Sequence, residues 1–231
     1  MAAGSVSDAL SAASCGADRI EFCTRLSCGG VTPGLADVRR LVVEASVPVV
    51  VLVRPRPGGF VYTGGELARA LGSCRECRSE GVSGIATGAL DRSSGIDARA
   101  VSDLVAAAGG VPVTFHRAFD LVPDMSGALE MLIELGVSRV LTSGGPPSAV
   151  DGALVLAALA EQARGRIEIL PGGGIRSNNA ARIAALAGCG WIHGSFSLLP
   201  DGSAEPVFDP SELGRVMNAL GRSSQDPGSD V

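Results

Sequence analysis

The chain has 231 residues, 46% of them hydrophobic and 19% charged, with a formal net charge of −5. That balance excludes a disordered chain, and the length allows one large core or at most two small ones. With aromatics at only 3%, the sequence offers neither a basic face nor a stacking platform for nucleic acid.

The first helical pattern covers Ser5–Ser14. Short β-type runs then centre near Glu21, Val51, Ala86, Thr114, Leu141, Ile169 and Ile192. Between them lie Gly- or Pro-bearing turns and Ala/Leu/Val-rich segments of helical period: Leu35–Ala45, Gly65–Glu80, Ala98–Ala108, Gly127–Leu135, Ala149–Ala163 and Asn179–Ala187. Strand alternating with helix at this spacing predicts parallel βαβ units. Right-handed crossovers then leave an open doubly wound sheet or a closed (β/α)8 barrel. No Gly-x-Gly-x-x-Gly follows the first visible strand, and the length suits a compact barrel, so an α/β TIM barrel is expected. These helical segments are examples from eight such stretches, against which the seven strands are one short. Extrapolating the period puts strand one ahead of Met1, so the first barrel strand is expected to be missing. Residues 1–220 are read as a single barrel domain and 221–231 as a disordered tail.

No apolar run approaches the roughly 20 residues of a membrane helix, and Met1–Ser5 has no signal-peptide character. No membrane partner is expected. The six cysteines predict free thiols in a chain of this kind. All 19 basic residues are Arg, so mechanisms needing an active-site amine are excluded.

Strand residues alternate between barrel interior and helix layer. Arg19, Glu21 and Cys23 share one face, opposite Ile20 and Phe22. Thr114 and His116 share another. Arg54 and His193 each close a strand. The polar residues thus gather at C-terminal strand ends, where barrel enzymes place their sites. Glu21, Arg54, His116, Asp120 and His193 are the candidate catalytic residues. The alternative for Glu21 is a buried ion-pair plug, neutralised by Arg19 and Arg54. Asp120 could instead be an N-cap or turn residue. If the strand runs on past His116, Arg117 faces away from it.

Pro171-Gly172-Gly173-Gly174-Ile175 precedes a helix opened by Ser177-Asn178-Asn179. Bare glycines and a helix N-terminus suit an anion, and barrels often bind phosphate between strands seven and eight. Gly172, Gly173, Gly174, Gly194 and Ser195 form the candidate anion site, with a tight turn as the alternative. Cys23 and Cys28, near one rim, are candidate ligands for a soft cation such as Cu(I). Cys74 and Cys77 read as a structural pair inside a helix.

These motifs carry a resemblance. Gly16–Cys23, Gly29–Pro33, Arg54-Pro55-Arg56, Thr114–Asp120, Leu141–Gly145, Pro171–Ile175 and His193-Gly194-Ser195 occur in the order seen in the CutC family of copper homeostasis proteins, which this chain resembles over Ser5–Ser195. The resemblance implies a cytosolic, self-associating barrel linked to Cu(I), with Cys23 on the family's cysteine after the acidic residue of strand two. The family's first strand has no counterpart before Ser5, and Cys28 stands where the family usually has Glu. Two functional readings follow. One is a copper protein holding Cu(I) through Cys23 and Cys28. The other is a lysine-independent isomerase, lyase or hydrolase acting on a small phosphorylated or anionic metabolite at the same mouth.

Overall fold

Seven parallel strands form one curled sheet in the computed structural model, which describes residues 1–222. They are β1 (Ala2–Ala3), β2 (Ile20–Phe22), β3 (Val49–Leu52), β4 (Gly84–Thr87), β5 (Val113–Phe115), β6 (Arg139–Thr142) and β7 (Glu168–Pro171). Sheet order equals chain order, as successive right-handed crossovers require. Between and after them run α1 (Val6–Ser14), α2 (Leu35–Glu44), α3 (Gly64–Ser79), α4 (Ala98–Ala108), α5 (Met125–Glu134), α6 (Ala153–Ala163), α7 (Ala180–Ala187) and α8 (Pro210–Ala219). The TIM-barrel-like α/β architecture is the one the alternation predicts.

Strand one is represented by two residues. Ala2 and Ala3 pair with Glu21 and Phe22. The run around Ile192 lies between Gly190 and Gly194 and is not a continuous strand. It makes a single parallel bridge, His193 to Gly172. The amide of Ala2 then donates to the Gly194 carbonyl at 3.0 Å. These two contacts span the gap between β7 and β1. The chain continues into a small antiparallel hairpin, β8 (Ser197–Leu198) with β9 (Val207–Phe208).

Local chemistry sets the helix starts. Thr63 and Glu66 form a reciprocal capping box at α3. The Asp124 carboxylate caps Gly127, so α5 begins at Met125, two residues ahead of the expected start. Before α6, the Ala149 amide is drawn to the Gly173 carbonyl at 2.9 Å. Residues 149–152 therefore stay out of the helix, which begins at Ala153 rather than Ala149.

Period-two alternation divides the buried residues into two clusters. Ile20, Phe22, Val49, Val51, Val53, Ile85, Val113 and Phe115 face the helices. Cys23, Val50, Leu52 and Ala86 pack together as a smaller cluster. An ion-pair plug does form, but around Glu168, which meets Arg139 at 2.7 Å and Arg19 at 3.6 Å. Arg19 and Arg54 therefore do not pair directly with Glu21. The expected tail falls mostly on residues outside those described. Gly221 and Arg222 still close α8 through amide bonds to the Asn218 and Met217 carbonyls. Among the described residues, no helix is long and apolar enough to cross a membrane.

Candidate functional site at the barrel mouth

A cavity of about 400 Å³ opens at the C-terminal ends of the strands. Glu21, Cys23, Cys28, Arg54, His116, His193, Gly173, Gly174, Gly194 and Ser195 all line it. Two expected members do not. The Gly172 amide is used in the barrel ladder, donating to the Thr142 carbonyl at 2.9 Å. Asp120 is bound to the neighbouring β6 end. It accepts from the Ser143 amide and hydroxyl, both at 2.9 Å, and from the Thr142 hydroxyl. It anchors that loop and does not line the cavity.

Glu21 on β2 faces His193, with Oε1 3.7 Å from Nε2. Burial raises the Glu21 carboxyl pKa above its usual range. Burial also lowers the His193 imidazole well below its ordinary value. Both shifts favour neutral forms.

His116 follows β5 and is 5% exposed. Its Nδ1 accepts from the Ala118 amide at 3.3 Å. That bond assigns the proton of the neutral ring to Nε2. Burial, with Arg54 nearby, lowers its pKa to about 3. Nε2 is buried and has no partner among the described residues. Phe60 and Phe115 hold the ring, with centroids 4.8 Å and 5.9 Å away. A Cβ on Gly88 would lie 2.9 Å from it.

Arg54, a candidate catalytic residue, lines the cavity with most of its donors already committed. One terminal nitrogen donates to the Cys28 and Gly30 carbonyls at 3.1 Å and 2.9 Å. The other donates to the Gly58 carbonyl at 2.7 Å. Arg54 therefore sews the loop after β2 to the loop after β3. Among the described residues, only its Nε finds no partner.

Two further arginines reach the cavity. The strand ends at Phe115 and turns into a 3-10 segment, Arg117–Leu121, which aims Arg117 inward beside His116. The expected outward orientation assumed a continuing strand. Asp120 and Ser143 hold the Arg117 guanidinium at 2.7 Å and 3.0 Å. Arg176, which ends the Pro171–Arg176 turn, donates to the Ser197 carbonyl at 3.0 Å. Sequence reasoning turned Arg117 away from His116 and passed over Arg176 and Phe60.

The glycine loop differs from the expectation in one respect. The turn before α7 is satisfied from within. The Glu212 carboxylate accepts from the Ser177 amide at 2.8 Å, and the Asn179 side chain accepts from the Arg176 amide at 2.9 Å. These bonds engage amides of the turn that precedes the helix, and Asn179 at the N-cap makes no side-chain cap bond to α7. The donors left over are the preceding amides, because those of Gly173, Gly174, Gly194 and Ser195 have no acceptor among the described residues.

Cys23 and Cys28 line the same cavity, and all six cysteines are free. Burial, and then Glu21, push the Cys23 thiol up to about 12. Its Sγ lies 3.6 Å from the Ala3 carbonyl. Cys28 Sγ donates to the Arg25 carbonyl at 3.1 Å. Among the described residues, no group of three or more His, Cys, Asp or Glu side chains could hold a metal. A pair of thiols is, in general, a donor set for a soft, low-coordinate cation. Cys74 and Cys77 are buried in α3, away from this cavity, as expected of a packing pair.

Residues 2–198 match the CutC family. The copper homeostasis protein cutC homolog of Homo sapiens is 42% identical over 189 residues, covering 82% of this chain and 69% of that protein. A family protein CutC from Treponema denticola is 42% identical over 191 residues, covering 83% of this chain and 78% of its own. The crystal structure of a CutC protein from Streptococcus agalactiae superposes with a TM-score of 0.80 at 30% identity, covering 84% of this chain and 96% of its own. N-(5'-phosphoribosyl)anthranilate isomerase from Pyrococcus furiosus shares the fold alone, with a TM-score of 0.58 at 15% identity, covering 95% of each chain.

Proposed function

The chain belongs to the CutC family, and from that premise we propose that it serves copper homeostasis by taking Cu(I) as cargo at the barrel mouth. The observation that carries this reading is the placement of two free thiols, Cys23 and Cys28, on the wall of one cavity. Thiolates are the soft donors Cu(I) prefers. Cys23 would supply the inner ligand and Cys28 the outer one. Capture would release the Cys23 proton, since the thiolate is the ligand. The six free thiols support a reducing compartment such as the cytosol.

The test is anaerobic competition for Cu(I) against a chromophoric chelator. The parent protein is compared with Cys23→Ser, Cys28→Ser and Cys74→Ser. One-to-one binding lost in the first, weakened in the second and kept in the third supports the reading. Binding that ignores Cys23, or equal loss with Cys74→Ser, overturns it.

A further inference from the structure

We propose that the mouth cavity also binds a small phosphomonoester bearing a hydroxyl or carbonyl oxygen, with the phosphate on the Gly173–Gly174 and Gly194–Ser195 amides and the second oxygen on His116 Nε2. This ligand is distinct from copper, and the inference does not rest on the copper reading.

The first support is the set of open amides. They come from two adjacent turns, the one after β7 and the one that closes the barrel. Gly173 and Gly174 have φ of +105° and +67°. Two such residues in succession let the backbone face an anion closely. A Cβ on Gly173 would sit 3.1 Å from Arg117 Cζ, so the guanidinium lies against this peptide. Arg176 lines the cavity as well. Asp120, Ser143 and the Ser197 carbonyl hold these two guanidinium groups in place. Donors fixed in this way lose little freedom when an anion arrives.

The second support is independent of the first. His116 Nε2 is a buried donor with no acceptor among the described residues. Such a group carries an uncompensated desolvation cost until something accepts from it. The ring is held neutral by burial, so it donates without adding charge. A neutral donor suits a hydroxyl or carbonyl oxygen. Glu21, held toward its neutral form by burial, lines the same cavity. The cavity thus has an anion-binding end and a neutral polar end. Its volume of about 400 Å³ suits a small metabolite.

The experiment is thermal-shift and calorimetric titration of the full chain with ribose 5-phosphate, inorganic phosphate and ribose. Ribose 5-phosphate and inorganic phosphate both raise Tm, the former more at equal concentration, and ribose has no effect. Arg176→Gln weakens both phosphates by about tenfold, the loss of one charge-assisted contact. His116→Gln leaves inorganic phosphate unchanged and reduces ribose 5-phosphate to its level. Cys23→Ser leaves both shifts in place, so this proposal and the copper reading fail separately. Absence of a shift with either phosphate, or equal affinity in Arg176→Gln, overturns the proposal.

Discussion

Glu21 Oε1 and His193 Nε2 lie 3.7 Å apart inside the barrel, one on β2 and the other on the segment that closes it. Burial moves the carboxyl pKa up and the imidazole pKa down, so the contact favours a protonated acid beside a neutral ring. Because the folded-state pKa of Glu21 is raised above its ordinary 4.5, the folded protein binds its proton more tightly than the unfolded chain. Its contribution to stability is therefore lost as pH rises through the folded pKa. Glu21→Gln, which cannot ionise, is expected to be near neutral at pH 5 and stabilising relative to the parent at pH 8. Urea unfolding at the two pH values measures the difference. An unchanged gap would show that the carboxyl is not perturbed.

His116 works in the opposite direction. Its folded pKa of about 3 lies below the ordinary 6.5, so the unfolded chain binds the proton first. Stability is lost as pH falls below 6.5, by about 1.4 kcal/mol per pH unit for one proton. His193 adds a loss of the same sign, and Glu21 offsets part of both. His116→Gln is expected to flatten the slope between pH 6 and pH 4 by about that one-proton amount. Denaturation midpoints across that range measure it.

Cys23 and Cys28 are expected to react differently. The Cys23 thiol, pushed up to about 12 and only 2% exposed, stays protonated at pH 8. Iodoacetamide should modify Cys28 within minutes and leave Cys23 intact until the protein unfolds, as read by peptide mass mapping. If one thiol proton is released on binding, Cu(I) affinity should rise about tenfold per pH unit below the folded thiol pKa.

Arg54 is a structural clasp. Arg54→Met keeps the apolar stem but removes the donors to the Cys28, Gly30 and Gly58 carbonyls. The expected cost is roughly 3 kcal/mol, from charge-assisted bonds lost and carbonyls left without their donor. Amide exchange in residues 28–30 and 58 should quicken with it. Unchanged exchange would mean that the two loops hold their shape without the arginine.

Gly152 tests the packing of the turn before α6. A Cβ there would sit 1.8 Å from the Ser143 carbonyl oxygen, which is backbone and cannot swing away. Gly152→Ala is expected to destabilise by about 2 kcal/mol or more. It should also loosen the Asp120–Ser143 anchor that holds Arg117. Thermal unfolding and the Arg117-dependent phosphate affinity report the two effects.

Much of the site was legible because strand alternation is local. Glu21, Cys23 and His116 were placed on inward faces by period two, and Arg54 at a strand end, and all four line the cavity. Asp120 could not be judged from its neighbours in sequence. Its partners, Thr142 and Ser143, lie on the next strand end. Arg117 was misdirected because the end of β5, rather than its pattern, sets the side chain's direction. Arg176 gave no pattern signal at all. It matters only because the loop after β7 folds back over the mouth.

By itself, the sequence determined the alternation of strand and helix, the side each strand residue faces, and the chemistry of the motifs. These follow from periodicity and turn composition, which act over a few residues. The tertiary structure decided how the barrel closes, through Gly172, His193, Gly194 and Ala2. It also decided which polar groups are already engaged. Arg54, Asp120 and the turn before α7 find partners within the fold, whereas His116 Nε2 and four loop amides find none among the described residues. Hydrogen-bond satisfaction depends on residues far apart in the chain, so it emerges only when the fold brings them together.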